Sequence, residues 1–140
     1  MKKFVAGTAG ILLMGAGLVA STGTVAHADP YPGTIATTTT VSAPAKVKRK
    51  KQARVCADVK VKTGTGTPVG TVTISVTRNS GRFHQSVSFP YSGGQVCMVT
   101  KKLKKTGGYN VKADYSSKPG TVFSDSTGVG GFDVVKSKRR

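Results

Sequence analysis

The sequence has 140 residues, enough for one domain and too few for a multi-domain enzyme. Its 22 Lys and Arg face 5 acidic residues, all of them aspartates (Asp29, Asp58, Asp114, Asp125 and Asp133), and the formal net charge is +17. Glu and Trp are absent and Gly reaches 18, a composition that disfavours helix, favours strands and turns, and excludes a helical bundle or coiled coil.

Residues 1–28 have the composition of an export leader. Lys2 and Lys3 precede an apolar or small-residue run over 9–20, and a more polar stretch then ends Ala26-His27-Ala28. Small residues at the −3 and −1 positions place the expected cleavage after Ala28. The apolar run is too short to span a bilayer comfortably, and the alternative is an uncleaved N-terminal anchor. No later run is long enough to cross a membrane, and no wall-sorting motif closes the chain, so a freely secreted, extracellular product is expected. A chain of the processed size buries roughly 65% of its unfolded surface, enough for one modest core.

The rest reads as strands. Residues 29–36, with two prolines, form an expected flexible lead. A Thr-rich strand follows over 37–42. Residues 53–62 alternate cleanly, with Val55, Ala57, Val59 and Val61 inward and Arg54, Cys56, Asp58, Lys60 and Lys62 outward. A Gly/Thr-rich loop covers 63–68. Residues 71–77 put Val72, Ile74 and Val76 on one face. Asn79-Ser80-Gly81 signals a turn, and 82–89 groups Phe83, Val87 and Phe89. After a turn at 90–94, residues 95–103 offer Val96, Met98 and Leu103 inward. Tyr109, Val111, Ala113 and Tyr115 alternate beyond Gly107-Gly108, and a last strand is expected around 131–135. Strands recurring at intervals of about ten residues suit a sandwich or barrel. A flexible basic tail is expected at 137–140.

The two cysteines test this pattern. In an exported chain Cys56 and Cys97 are expected to pair. Parity puts both on the solvent face of their strands, so a bond between them requires those strands to be direct antiparallel neighbours in one sheet.

The stretch 37–135 resembles a bacterial immunoglobulin-like domain of the kind repeated in surface and secreted proteins. The resemblance is carried by Thr37-Thr38-Thr39-Thr40-Val41, by Thr67-Pro68-Val69-Gly70-Thr71-Val72-Thr73-Ile74, and by Leu103 followed by Gly108-Tyr109-Asn110-Val111-Lys112-Ala113-Asp114-Tyr115. It implies an all-β, seven-strand immunoglobulin-like Greek-key sandwich over 37–136. Strands A, B, E and D would share one sheet and C, F and G the other, with Cys56 on B and Cys97 on E. The antibody-type bond instead joins B to F across the sheets against a Trp, which this chain lacks. The resemblance also places Tyr109 as a tyrosine corner; an ordinary core tyrosine is the alternative.

Little in the sequence points to catalysis. Past the leader, His84 is the one histidine and the carboxylates are scattered. No nucleophile-elbow or phosphate-cradling motif occurs, and a disulfide would consume both thiols. No catalytic residues, no metal and no cofactor are expected. Calcium at Asp114 and Asp125 would need more oxygens than two carboxylates supply.

Charge clustering is the most informative feature. One run holds Lys46, Lys48, Arg49, Lys50 and Lys51. A second holds Lys101, Lys102, Lys104 and Lys105, and a third holds Lys136, Lys138, Arg139 and Arg140. The implied topology brings all three to one end, joined by Arg78 and Arg82. One reading is solubility and protection of sheet edges. The other is binding of anionic cell-wall or extracellular polymers by counterion release, without sequence-specific nucleic-acid recognition, because no aromatic residue interleaves the clusters. The resulting expectation is a monomeric, non-enzymatic binding or structural module. The alternatives are a cationic effector acting on anionic membranes and a small protease-inhibitor-type protein.

Overall fold

Period-two alternation turns one face of every strand inward, and two such faces closed on each other make the fold. The computed structural model describes residues 33–138, which are all β with no helix among them. The expected leader, the cleavage point after Ala28, residues 29–32, Arg139 and Arg140 lie outside the described residues. The strands are β1 (Thr37–Ser42), β2 (Lys46–Lys48), β3 (Arg54–Val61), β4 (Gly70–Arg78), β5 (His84–Tyr91), β6 (Gln95–Val99), β7 (Gly107–Ser117) and β8 (Ser126–Val135). One sheet has the order β1-β3-β6 and the other β2-β8-β7-β4-β5. Val55, Ala57 and Val59 of β3 and Met98 of β6 supply the core from the first sheet. Val72, Ile74 and Val76 of β4 and Val111, Ala113 and Tyr115 of β7 supply it from the second.

The cysteine parity is met. Cys56 sits opposite Cys97 in the antiparallel register of β3 and β6, and the two are bonded with their Cα atoms 4.0 Å apart. Ser42 of β1 flanks Cys56 on the other side, and Cys56 is 9% exposed, more covered than an outward position alone would make it.

Four expectations need correction. The strand containing His84 was expected beside β1, β3 and β6, but β5 pairs with β4 from Gly70↔Tyr91 to Thr77↔His84. A hairpin across the short 79–83 turn closes the smallest loop, and Thr73–Ser88 and Ser75–Ser86 hydroxyl pairs at 2.8 and 2.9 Å support it on the outer face. β5 also runs through Pro90, tolerated because β5 is an edge strand. The Gln85 side chain links it to β6 and the segment beyond: it accepts from Lys101 N at 2.7 Å and donates to the Val99 carbonyl at 3.3 Å.

The strands number eight rather than seven, because Lys46–Lys48 is a strand and not part of a turn. β1 stops before Ala43-Pro44-Ala45, which carries the chain into the opposite sheet, and β2 then runs parallel to β8 with Val47 buried between exposed Lys46 and Lys48. Next, β8 begins at Ser126 instead of near Gly131. Its glycines are what allows β1 to lie against it. A Cβ on Gly128 would stand 2.5 Å from the Thr39 carbonyl oxygen, and one on Gly130 would stand 2.9 Å from Val41 Cγ1. Thr37 and Thr39, both buried, reach the Ser126 hydroxyl at 2.7 and 2.8 Å in the same seam. Finally, the end of the expected flexible lead, Ile35 and Ala36, is tied by backbone hydrogen bonds. Ile35 N donates to the Val122 carbonyl at 2.6 Å, Ser124 N donates to Ile35 O at 3.0 Å and Lys62 N donates to Ala36 O at 2.8 Å.

Tyr91 ties the two layers together far from the basic clusters. Its hydroxyl accepts from Val59 N at 2.9 Å and lies 2.7 Å from the Gly94 carbonyl. Burial pushes this phenol above the usual tyrosine range, against the opposing pull of the Val59 amide.

Gly128→Ala is expected to lower stability by about 1–3 kcal/mol despite the entropy removed from the unfolded chain, since the added carbon meets backbone that cannot rotate away. The urea midpoint reads the loss. Reducing the disulfide, which joins residues 41 apart, should cost about 4 kcal/mol on the chain-entropy model, read the same way.

Candidate anion-binding pole

The basic segments are brought together by backbone bonds, not by their own side chains. After β2, a turn closed by Lys51 N donating to the Lys48 carbonyl at 3.1 Å presents Arg49 and Lys50. Arg49 N then donates to the carbonyl of Val135, the last residue of β8, at 2.8 Å. Lys50 N donates to the Leu103 carbonyl at 2.8 Å, and Leu103 N returns a bond to the Lys51 carbonyl at 2.9 Å. Leu103 itself is fully buried. One short turn is thereby fastened both to the strand that leads into Lys136 and to the middle of the Lys101–Lys105 run.

The 100–106 segment is fixed at three further points. Thr100 is fully buried and exchanges bonds with Ala53: its amide donates to the Ala53 carbonyl at 2.9 Å, and its hydroxyl accepts from Ala53 N at 2.9 Å. Tyr109 donates its hydroxyl to the Lys105 carbonyl at 3.0 Å, a bond back to the preceding corner. Its ring stacks on Phe132 at 5.3 Å and meets the Phe83 edge at 5.4 Å. The tyrosine-corner geometry is therefore present. Arg78 donates through Nη2 to the Thr106 carbonyl at 2.9 Å, and its Nε is buried without a partner. Arg78 was counted among the pole's cations; it is half-buried and its guanidinium is directed at this corner.

On that scaffold Lys46, Lys48, Arg49, Lys50, Lys51, Lys101, Lys102, Lys104, Lys105, Lys136 and Lys138 are all exposed. Two open clefts meet at the turn. One, of about 610 Å³, is lined by Arg49, Lys50, Lys136, Ser137 and Lys138. The other, of about 370 Å³, is lined by Arg49, Lys50, Lys102 and Lys104. Lys46, Lys48, Lys51 and Arg54 border a further depression of about 600 Å³ that reaches Cys56. Arg54, left out of the sequence-derived candidates, points its guanidinium to Cys97 Sγ at 3.6 Å. Among the described residues the ion pairs are Lys60–Asp58 at 3.4 Å and Lys112–Asp114 at 3.0 Å, neither of them at the pole. Asp133 is the carboxylate in register with Lys46.

Lys50 has φ 68° and is the one non-glycine residue with positive φ among the described residues. A side chain in this left-handed region costs roughly 1–2 kcal/mol, which glycine would avoid.

The other sequence candidates are not gathered into a site. His84 is exposed at the start of β5. Asp125 accepts from the amide and hydroxyl of Ser117 at 2.7 and 2.9 Å, bonds that hold its carboxyl below the usual range. At Asp114 burial pushes the carboxyl up, but the Thr127 hydroxyl at 2.8 Å and Lys112 outweigh it and leave it lowered. Each of the two acids is thus engaged by its own partners. Among the described residues no group of three metal-ligating side chains occurs.

No family model matches the sequence, and no curated protein does. Solved structures similar to it include a superoxide reductase (neelaredoxin) from Ignicoccus hospitalis, at 17% identity and a TM-score of 0.48 over 70% of this chain and 80% of that one. A CARDB domain from Pyrococcus furiosus, in complex with di-metal ions, is 17% identical with a TM-score of 0.46 over 72% and 94%. A conjugative transposon lipoprotein from Bacteroides eggerthii is 11% identical with a TM-score of 0.42 over 70% and 95%. At these values the likenesses leave the reading of the pole to the chain's own geometry.

Tyr109→Phe is expected to cost about 1 kcal/mol, the net worth of one hydrogen bond. It should also raise amide hydrogen exchange selectively over 101–106, because the corner then loses one of its ties.

Proposed function

We propose that the protein is an exported, non-enzymatic immunoglobulin-like module whose cationic pole holds anionic polymers of a cell envelope or its surroundings. The observation that carries this is the fastening of Arg49 and Lys50 between Val135 and Leu103, which holds chain-distant cationic runs together against their repulsion. A charge distribution serving solubility alone would not need that convergence. The immunoglobulin-like assignment is supported by the layered arrangement of β1, β3 and β6 over β8, β7 and β4, and by the Tyr109 corner. Export is supported by the disulfide, which suits an oxidising compartment, and by the leader-like composition of 1–28.

Recognition at such a pole is by charge density. Released counterions supply the free energy, and affinity then falls steeply with salt. Among the described residues no helix is long and apolar enough to cross a membrane. Leu103, the apolar residue inside the second basic run, is buried. Leu103 is thus not offered to a bilayer, and the exposed apolar residues bordering the pole, Val99 and Val135, are small single side chains, which favours surface polymers over membrane disruption.

Retention on an immobilised polyanion should fall linearly in log affinity against log salt, with a slope of about −0.7 per anionic group engaged. Replacing Lys101, Lys102, Lys104 and Lys105 by Gln should flatten that slope. Weak retention, equal in both proteins, would reduce the charge to a solubility device.

A further inference from the structure

The two clefts that meet at the turn share a wall. Arg49 and Lys50 line both; Lys136 and Lys138 complete one, and Lys102 and Lys104 complete the other. Lys50 occupies this shared position in the left-handed conformation, φ 68°, that glycine adopts without strain. Its backbone role, an N–H hydrogen bond donated to the Leu103 carbonyl at 2.8 Å, would be served equally by glycine. The side chain is thus carried at a conformational cost that the fold does not require, and such strain concentrates at functional positions.

We propose that the paired clefts are two adjacent subsites for successive phosphates of one linear phosphate or phosphodiester polymer, with Lys50 placed between them. This rests on the polyanion reading above and narrows it to a ligand class. Anions seated on either side of one lysine are close enough to belong to one chain, and a covalent link makes the second contact intramolecular. A single free anion gains nothing from the second cleft. The lining is mostly lysine, with Arg49 the one guanidinium. Ammonium groups act as point charges that tetrahedral phosphate oxygens can meet from several directions, and the Arg49 fork also matches phosphate.

The test measures affinity of the oxidised protein for long-chain inorganic polyphosphate across a salt titration. Orthophosphate at equal phosphorus concentration and polyglutamate serve as comparators. The variants are Lys50→Gly, Lys102→Gln and Lys136→Gln, with Lys62→Gln at the opposite end as the control. Lys50→Gly should unfold at the same temperature as the parent or higher, yet lose about ten-fold in affinity, and its salt slope should be shallower by about 0.7, one charge's worth. Lys102→Gln and Lys136→Gln, exposed side chains on one cleft each, should flatten the slope by the same amount but each lose only about three-fold in affinity, and Lys62→Gln should change neither. If Lys50→Gly binds no differently from Lys62→Gln while the parent binds well, the shared-wall arrangement is overturned and the polyanion reading stands. If the parent does not bind polyphosphate or polyglutamate at low salt, both fall. Polyglutamate held as tightly as polyphosphate overturns the phosphate class, and orthophosphate competing equally per phosphorus overturns the linked pair.

Discussion

Leu103 is an apolar residue in the middle of four lysines, and its burial is what makes the basic pole possible. Two unit charges roughly 8 Å apart in water repel by about 0.5 kcal/mol, and salt screens this further. Burying a leucine side chain contributes about 1.5–3 kcal/mol, and each backbone hydrogen bond adds about 1 kcal/mol net. Leu103 makes two such bonds with the Lys50–Lys51 turn. The apolar peg and its bonds therefore offset several such pairwise repulsions between the segments they join, and salt removes much of the rest. The lysine side chains stay in solvent, where their charges cost least and are free to meet a ligand.

The same division of labour runs through the corner that follows. Tyr109 and Arg78 donate to the Lys105 and Thr106 carbonyls and Thr100 accepts from the Ala53 amide, together holding a segment with no strand pairing of its own. At the other edge the glycines of β8 let β1 approach until hydroxyls and carbonyls touch, and β2 can then cross to pair with β8. Arg49 reaches Val135 only because β2 has already been laid beside β8. The position of the pole is thus a consequence of where the first strand splits, a step set by Pro44 and by missing side chains rather than by charge.

Much of this was legible in the residues. The alternation at Val55–Val59, Val72–Val76 and Tyr109–Tyr115 identified core faces, although Val61, expected inward, is only half-buried at the end of β3, and parity at Cys56 and Cys97 required β3 and β6 to be neighbours. What went astray followed from local signals overruled by tertiary contacts. Glycines at 128 and 130 carry a turn signal in isolation, because nothing in the sequence names the strand that needs their empty side. The partner of β5 was assigned by resemblance, while the 79–83 turn already encoded a hairpin to β4. Lys46 and Lys48 hid a strand because one inward valine is too short a pattern to read. Lys50's left-handed backbone had no signal at all, since lysine is not the residue that conformation favours.

By itself the sequence determined the β class, the inward faces, the cysteine pairing and the presence of three cationic runs. Each of these follows from side-chain period, residue type or count, properties a linear chain carries wherever it is placed. Which sheet each strand joins, and which cations share a cleft, were decided only by the tertiary structure. Those outcomes depend on steric fit between residues far apart in the chain: β1 against the bare backbone of β8, Leu103 against the core, and the Lys48–Lys51 turn between Val135 and Leu103.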